Sequence, residues 1–454
     1  CGKVMMTSDE ALLAPTSTEG CIACVGATCR CFCAAPCSWI GFVLQFLRGA
    51  IPMWGSCRQV WCCGACCRHG AKSPRDRAEL IRSGLQAISR SSPLRPDALQ
   101  LATDVARTLP LLRHAQLALG GGGVATCGAT ALVGGGEWAW PAAQDTNPHP
   151  PSVPLLDEPL RTRKLILYIH GGAFVLCSPQ THRPIAANLV RVSGAHVLSC
   201  DYRRPPEHAF PAALDDVVAV YNAIQRIVTP ERIMVAGDSA GGNLAVALCL
   251  RARERGLPLP GGLLLLSPWV DLSDTASWSW KSNTQRDYLT PELARMFAAS
   301  YVGAERSETS VQSPELSPLH SDQLGALPPT LLVMGEAEVL LAQQRAFADK
   351  LRAHGVDVQV VEVPDGFHVL PVFVDAAYGP WHRPTPDGDD LARLAHAGGS
   401  DDEEAGAVTP GALEAFTHMR NFARRIWQDE DGSAATNDNE QAAGSAADTE
   451  IPAV

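Results

Sequence analysis

Between residues 161 and 373, short apolar runs alternate with amphipathic stretches. Leu165–Ile169, His196–Cys200, 233–236, 263–266, 331–334 and Val358–Val363 have strand length and composition. Between them, 212–227, 243–255 and 343–354 carry apolar residues at helical spacing. Strand and helix in alternation predict an α/β fold whose central sheet is mostly parallel and covered by helices on both faces. The crossovers should then be right-handed.

Outside this stretch the pattern changes. Residues 1–70 are rich in cysteine and show no sustained period of 2 or 3.6. Residues 73–118 read as helical but are broken by Pro93, Pro96 and Pro110. A glycine run at 120–123 and a proline-rich stretch at 148–154 separate them from the strand-and-helix region. An acidic, glycine-rich insertion at 387–407 precedes a last helix expected at 412–427, with Leu413, Phe416, Met419 and Ile426 available for one face. Residues 429–454 are polar, acidic and low in aromatics, which predicts a disordered tail.

Composition changes this picture in two places. The chain has 454 residues, 46% of them hydrophobic and 19% charged, enough apolar content for a sizeable core. Its formal charge of −11 is equalled by the net charge of residues 387–454 alone, so the main body is neutral. A basic stripe for a phosphate backbone is missing, and no nucleic-acid partner is expected. The apolar run at 39–44 is far too short for a spanning helix.

Twelve of the 16 cysteines lie within residues 1–67, and only Cys127, Cys177, Cys200 and Cys249 come later in the chain. Such crowding is unlike an evenly stapled secreted protein, and favours an intracellular body with reduced later cysteines. The chain starts with Cys rather than Met, as a processed product or a fragment would. For the leader three readings stay open. Cysteines beside Trp39, Phe42 and Phe46 suit S-acylation and peripheral membrane contact. Cys21/Cys24 and Cys63/Cys66 form two Cys-x-x-Cys pairs, but their separation exceeds the usual zinc-ribbon spacing. The third reading is a flexible leader without an assignable role.

Candidate chemistry begins at Gly237-Asp238-Ser239-Ala240-Gly241, which succeeds one predicted strand and opens into a predicted helix. In that strand–turn–helix setting, a Gly-x-Ser-x-Gly pentapeptide exposes the serine hydroxyl as a nucleophile at the strand's end. Gly237 and Gly241 are there because side chains two before and two after Ser239 would collide. Upstream, His170-Gly171-Gly172-Ala173-Phe174 comes directly after the strand Leu165–Ile169. Small residues at that point let backbone N–H groups approach a substrate carbonyl. Gly172 and Ala173, with Ala240, are the expected oxyanion hole, while His170 braces the loop and Asp238 braces the elbow.

These two motifs resemble those of the hormone-sensitive-lipase family of α/β-hydrolases. Further matches are Asp201-Tyr202-Arg203, Pro206-Glu207-His208 with Phe210-Pro211-Ala212, and Ser267-Pro268-Trp269-Val270-Asp271-Leu272. The resemblance covers about 164–373 and, weakly, the last helix. It implies an α/β-hydrolase domain with a helical cap over 73–428, with its catalytic core at 161–373. The cap would come from 73–118 and 273–302, where Trp278, Trp280, Tyr288, Phe297 and Tyr301 are candidates to line a pocket.

The resemblance also implies a catalytic histidine just past the last strand, at His368. It implies an acid in Gly-x-x-Asp/Glu-x-Leu, which Gly335-Glu336-Ala337-Glu338-Val339-Leu340 matches with Glu338; Glu336 and Asp365 remain alternatives. Relatives often carry a second acid where Ala342 stands, so looser support of Glu338 is expected. Asp201 and Arg203 are expected to pair and brace the neighbouring loop. The activity implied is that of a serine carboxylesterase or lipase on small-molecule or lipid esters of small to medium acyl chain, with no metal and no cofactor. An arylacetamide-type deacetylase or amidase would use the same residues. A non-catalytic small-molecule receptor of the gibberellin-receptor kind shares the scaffold but lacks the histidine.

Overall fold

The computed structural model describes residues 79, 82–83, 85–86, 123–127, 136–140, 163–303, 311–373 and 410–428. The leader at 1–70, most of 73–118, the insertion at 387–407 and the tail at 429–454 lie outside the described residues.

Among the described residues, eight strands form one sheet. They are β1 Gly123–Cys127, β2 Gly136–Trp140, β3 Leu165–Ile169, β4 His196–Cys200, β5 Ile233–Asp238, β6 Gly262–Leu266, β7 Thr330–Gly335 and β8 Val358–Val363, in the spatial order β1-β2-β4-β3-β5-β6-β7-β8. The pairs from β4 through β8 are parallel, and β1 and β2 add an antiparallel edge. The glycine run at 120–123 thus leads directly into a strand, and the sheet reaches upstream of 161. Five-residue strands in Gly- and Trp-containing sequence carry too weak a period to be read without their partner β4.

Alternation along each strand sorts its side chains into two layers. Leu165, Leu167, Ile169, Leu263, Leu265, Leu332 and Met334 face α2 Ala212–Ile224, α3 Ala240–Glu254 and α6 Leu341–Ala353. Ile166, Tyr168, Leu264, Leu266, Leu331 and Val333 face α1 Arg183–Ser193 and α7 Pro410–Trp427. With apolar residues needed on both faces, the strands read as continuous Leu, Ile and Val runs. Two helices, α4 Trp278–Asn283 and α5 Pro291–Val302, lie between β6 and β7, where the family resemblance places a cap insertion. Among the described residues, no helix is long and apolar enough to cross a membrane.

Because β3, β5, β6, β7 and β8 run parallel, their C-terminal ends share one edge of the sheet. The His170–Phe174 loop, Ser239, Ser267, Glu338 and His368 all lie just past these ends. In open α/β sheets, that edge is where ligands bind.

Candidate active site

Ser239 sits between β5 and α3 with φ 52° and ψ −118°, a conformation that costs a non-glycine residue about 1–3 kcal/mol. β6 and the loop that follows it hold it there: its N–H donates to the Leu266 carbonyl at 2.9 Å, and its own carbonyl accepts from Trp269 N–H at 3.0 Å. The two elbow glycines are required by close approach, though not of each other's side chains. A Cβ on Gly237 would strike the backbone of Gly241, and one on Gly241 would strike the carbonyl oxygens of Ile169 and His170. The elbow is therefore pressed against the end of β3, from which the His170–Phe174 loop departs.

Asp238 fastens these two segments. Its carboxylate accepts from the Tyr168 hydroxyl at 2.6 Å and from Gly171 N–H at 2.8 Å, and lies 3.4 Å from His182 Nε2. Burial works against its charge, yet His182, Tyr168 and Gly171 outweigh that and hold its pKa below the usual carboxylate value. His170 is buried and stacked on Tyr202, with Nδ1 2.7 Å from the Gly171 carbonyl and Nε2 3.1 Å from the Arg204 guanidinium. Its ring thus lies packed against the loop and the Tyr202–Arg204 segment. Gly172 and Ala173 come next with φ of 105° and 54°, coiling the loop, and Ala240 opens α3 with an N–H that has no intrahelical acceptor.

One expected pair is different. Arg203 forks onto Asp216 of α2, with its Nη2 2.7 Å from Oδ1, while Asp201 pairs with Arg204 at 2.8 Å. Asp216 offers both carboxylate oxygens to the Arg203 guanidinium and also accepts the Arg203 backbone N–H at 2.8 Å, a forked partnership that draws Arg203 away from Asp201.

His368 lies past β8 and reaches across the sheet edge. Its Nε2 is 2.9 Å from Ser239 Oγ and its Nδ1 is 3.0 Å from Glu338 Oε2. A carboxylate only accepts, so Nδ1 carries the proton and Nε2 is left to receive one from the serine. Burial disfavours charge on the ring. The Glu338 hydrogen bond, with the charges of Glu338, Asp287 and Asp238, overrides this and raises the His368 pKa above its ordinary value. Of the two alternative acids, Glu336 is exposed and Asp365 pairs with Arg286 at 2.9 Å on the surface.

Glu338 is fully buried and well supported despite Ala342. Oε1 accepts from the Ser267 hydroxyl at 2.6 Å and from Gly335 N–H at 2.5 Å, and Oε2 from Gln344 Nε2 at 2.9 Å. Ser267 also receives Val369 N–H at 3.1 Å, which ties the histidine loop to the acid. Sequence reasoning finds Ser267 only as part of a motif and misses Gln344, whose one signal is its place on the first turn of the helix after Glu338.

Three of the cap aromatics, Trp280, Phe297 and Tyr301, are packed in the buried core, whereas Trp278 is 50% exposed beneath the Arg345 guanidinium. Tyr301 stacks flat on Phe174 at 3.8 Å, joining α5 to the His170–Phe174 loop. Tyr288 lies 5.8 Å from the His368 ring.

The family model for the alpha/beta hydrolase fold matches residues 166–372. An acetyl-hydrolase of Streptomyces hygroscopicus is 39% identical over 236 residues, covering 51% of this chain and 71% of that protein. The crystal structure of an esterase from the bacterial hormone-sensitive lipase family superposes with a TM-score of 0.56 at 26% identity, over 77% of this chain and 98% of the esterase. The chain belongs to the hormone-sensitive-lipase family of α/β-hydrolases. This hydrolase is also similar to an esterase of Acinetobacter venetianus, 37% identical over 198 residues that span 43% of this chain and 63% of the esterase. An esterase/lipase from an uncultured bacterium matches 78% of the hydrolase and 99% of its own length, with a TM-score of 0.57 at 26% identity. The hydrolase is thus an enzyme of the carboxylesterase and lipase type.

Proposed function

We propose that this hydrolase cleaves carboxylic esters of small to medium acyl chain, with Ser239 as nucleophile, His368 as base and acid, and Glu338 as the orienting carboxylate. The observation that carries the reading is the single imidazole within hydrogen-bond reach of both Ser239 Oγ, at 2.9 Å, and Glu338 Oε2, at 3.0 Å. In the first step, Ser239 Oγ attacks the ester carbonyl while His368 Nε2 takes the hydroxyl proton. The tetrahedral oxyanion is received by the N–H groups of Gly172, Ala173 and Ala240, each worth roughly 3–4 kcal/mol in the transition state. Its collapse breaks the bond to the leaving alcohol, which departs with the proton from His368. Water then attacks the acyl-enzyme and gives a proton to His368, and Ser239 regains its own as the acid leaves.

The similarity to an acetyl-hydrolase favours short acyl groups. The domain that carries out this reaction is assigned to residues 73–428. Hydrolysis of p-nitrophenyl esters from C2 to C16 tests the reading directly. Wild type should turn over the shorter esters fastest, and Ser239→Ala and His368→Ala should each lose about three orders of magnitude or more in kcat. Comparable turnover by Ser239→Ala would overturn the assignment.

A further inference from the structure

A third carboxylate lies behind the Glu338–His368 pair, and no step of the hydrolysis uses it. Asp287 stands just past α4 in the cap segment and is fully buried. Its Oδ2 accepts from Val339 N–H at 2.8 Å, and its Oδ1 from His368 N–H at 3.2 Å and Tyr288 N–H at 2.8 Å. One side chain therefore grips the backbone next to Glu338 and the backbone of His368 itself. We propose that Asp287 is a positioning residue for ester hydrolysis, holding the acid loop and the histidine loop in working register and making that register depend on how the cap is seated. The inference rests on the Ser239–His368–Glu338 reading of the site.

The cap is fastened to the acid loop at further points, including Ser279, whose hydroxyl donates to the Val339 carbonyl at 2.6 Å. Asn283, one helical turn before Asp287, donates its amide to the carbonyls of Glu338 at 2.8 Å and Glu336 at 3.1 Å, while Asp287 N–H donates to the Asn283 carbonyl at 2.9 Å. On its outer side the same segment is clamped by the helical residues near the N-terminus. Gln86 Nε2 lies 2.8 Å from both the Asp287 and the Gln285 carbonyls, and Arg82 donates to the Gln285 carbonyl at 2.7 Å. A displacement of the cap would thus pull on Val339 and His368 through a stiff, buried path.

The charge of Asp287 acts as well as its geometry. The anions facing His368 are Glu338 from the acid loop, Asp287 from the cap and Asp238 from the elbow, with the Tyr288 ring beside them. Facing Asp287 are His368 and Glu338; Arg286 is turned to the surface and paired with Asp365. Burial raises the Asp287 pKa to about 6, with Glu338 adding to the rise and His368 and the N–H donors opposing it. Above that pH Asp287 is a further anion favouring the imidazolium that forms during the reaction.

Replacing Asp287 by Asn keeps the shape and removes the charge. The test compares wild type, Asp287→Asn and Ser239→Ala on p-nitrophenyl butyrate across pH, with rates normalised to sites titrated by a fluorophosphonate. Asp287→Asn should lower kcat roughly ten- to a hundredfold with KM changed by less than about twofold. The acid limb of kcat/KM should move down by about one pH unit, because loss of the anion makes His368 easier to deprotonate. Unchanged kcat in Asp287→Asn overturns the inference, as does a loss of kcat with the acid limb unmoved, which marks a merely structural residue. A wild type with neither turnover nor labelling overturns the triad reading and this inference with it. If Asp287→Asn does not fold, Gln86→Ala carries the test: loosening the segment should lower kcat by about threefold at constant KM, and an unaltered kcat overturns the inference.

Discussion

At the scale of single residues, the site is governed by how closely backbones approach one another. Gly241 is the clearest case, because β5 and the end of β3 leave no room for a methyl group beside Ile169 and His170. Gly241→Ala should cost about 3 kcal/mol, read as a lower urea midpoint. It should also abolish ester hydrolysis, since the residues pushed aside carry the His170–Phe174 loop proposed to receive the oxyanion. Glu338 is the converse case, a position defined by polar contacts. A buried carboxylate is costly unless its oxygens are satisfied, and Ser267, Gly335, Gln344 and His368 supply four donors. The weakness expected from Ala342 does not arise because three of those donors, Ser267, Gln344 and His368, come from the ends of β6 and β8 and from α6, outside the local motif.

At the scale of elements, the strands are legible in the sequence nearly to the residue. Leu165–Ile169, His196–Cys200 and Val358–Val363 have the expected bounds, and the other three expected strands gain only end residues. Fully buried parallel strands advertise themselves as apolar runs. The last helix obeys the same logic, with Phe416, Met419, Phe422 and Ala423 buried against the sheet and α1. Phe422→Ala should destabilise the protein by about 3–5 kcal/mol through the cavity it leaves, which thermal unfolding would report. β1 and β2 escape sequence reasoning because an antiparallel edge is built from pairing with β4 more than from any local period.

At the scale of the whole molecule, Ser239, Glu338 and His368 stand at the ends of β5, β7 and β8 of one continuous sheet, and Ser267 at the end of β6 bridges the last two. The site has no separable platform. Loss of ester hydrolysis and loss of helical circular dichroism should therefore coincide on heating; hydrolysis vanishing well below the structural transition would mean that the cap or the histidine loop opens on its own. Tyr301 on Phe174 and Asp287 on His368 are among the contacts that bind the cap into this unit.

By itself, the sequence determined the fold class and marked out the Gly237–Gly241 elbow and the His170–Phe174 loop as candidate chemistry, because apolar runs and glycine-dependent turns are local and their physics is written into neighbouring residues. The choice of Glu338 and His368 needed family resemblance, since nothing local distinguishes a carboxylate 99 residues from the serine. Only the tertiary structure decided that Ser267 and Gln344 hold the acid, that Arg203 turns to Asp216, and that Asp287 reaches the histidine. Those contacts join residues far apart in the chain, and a polar side chain's partner is set by which strand ends the sheet brings side by side.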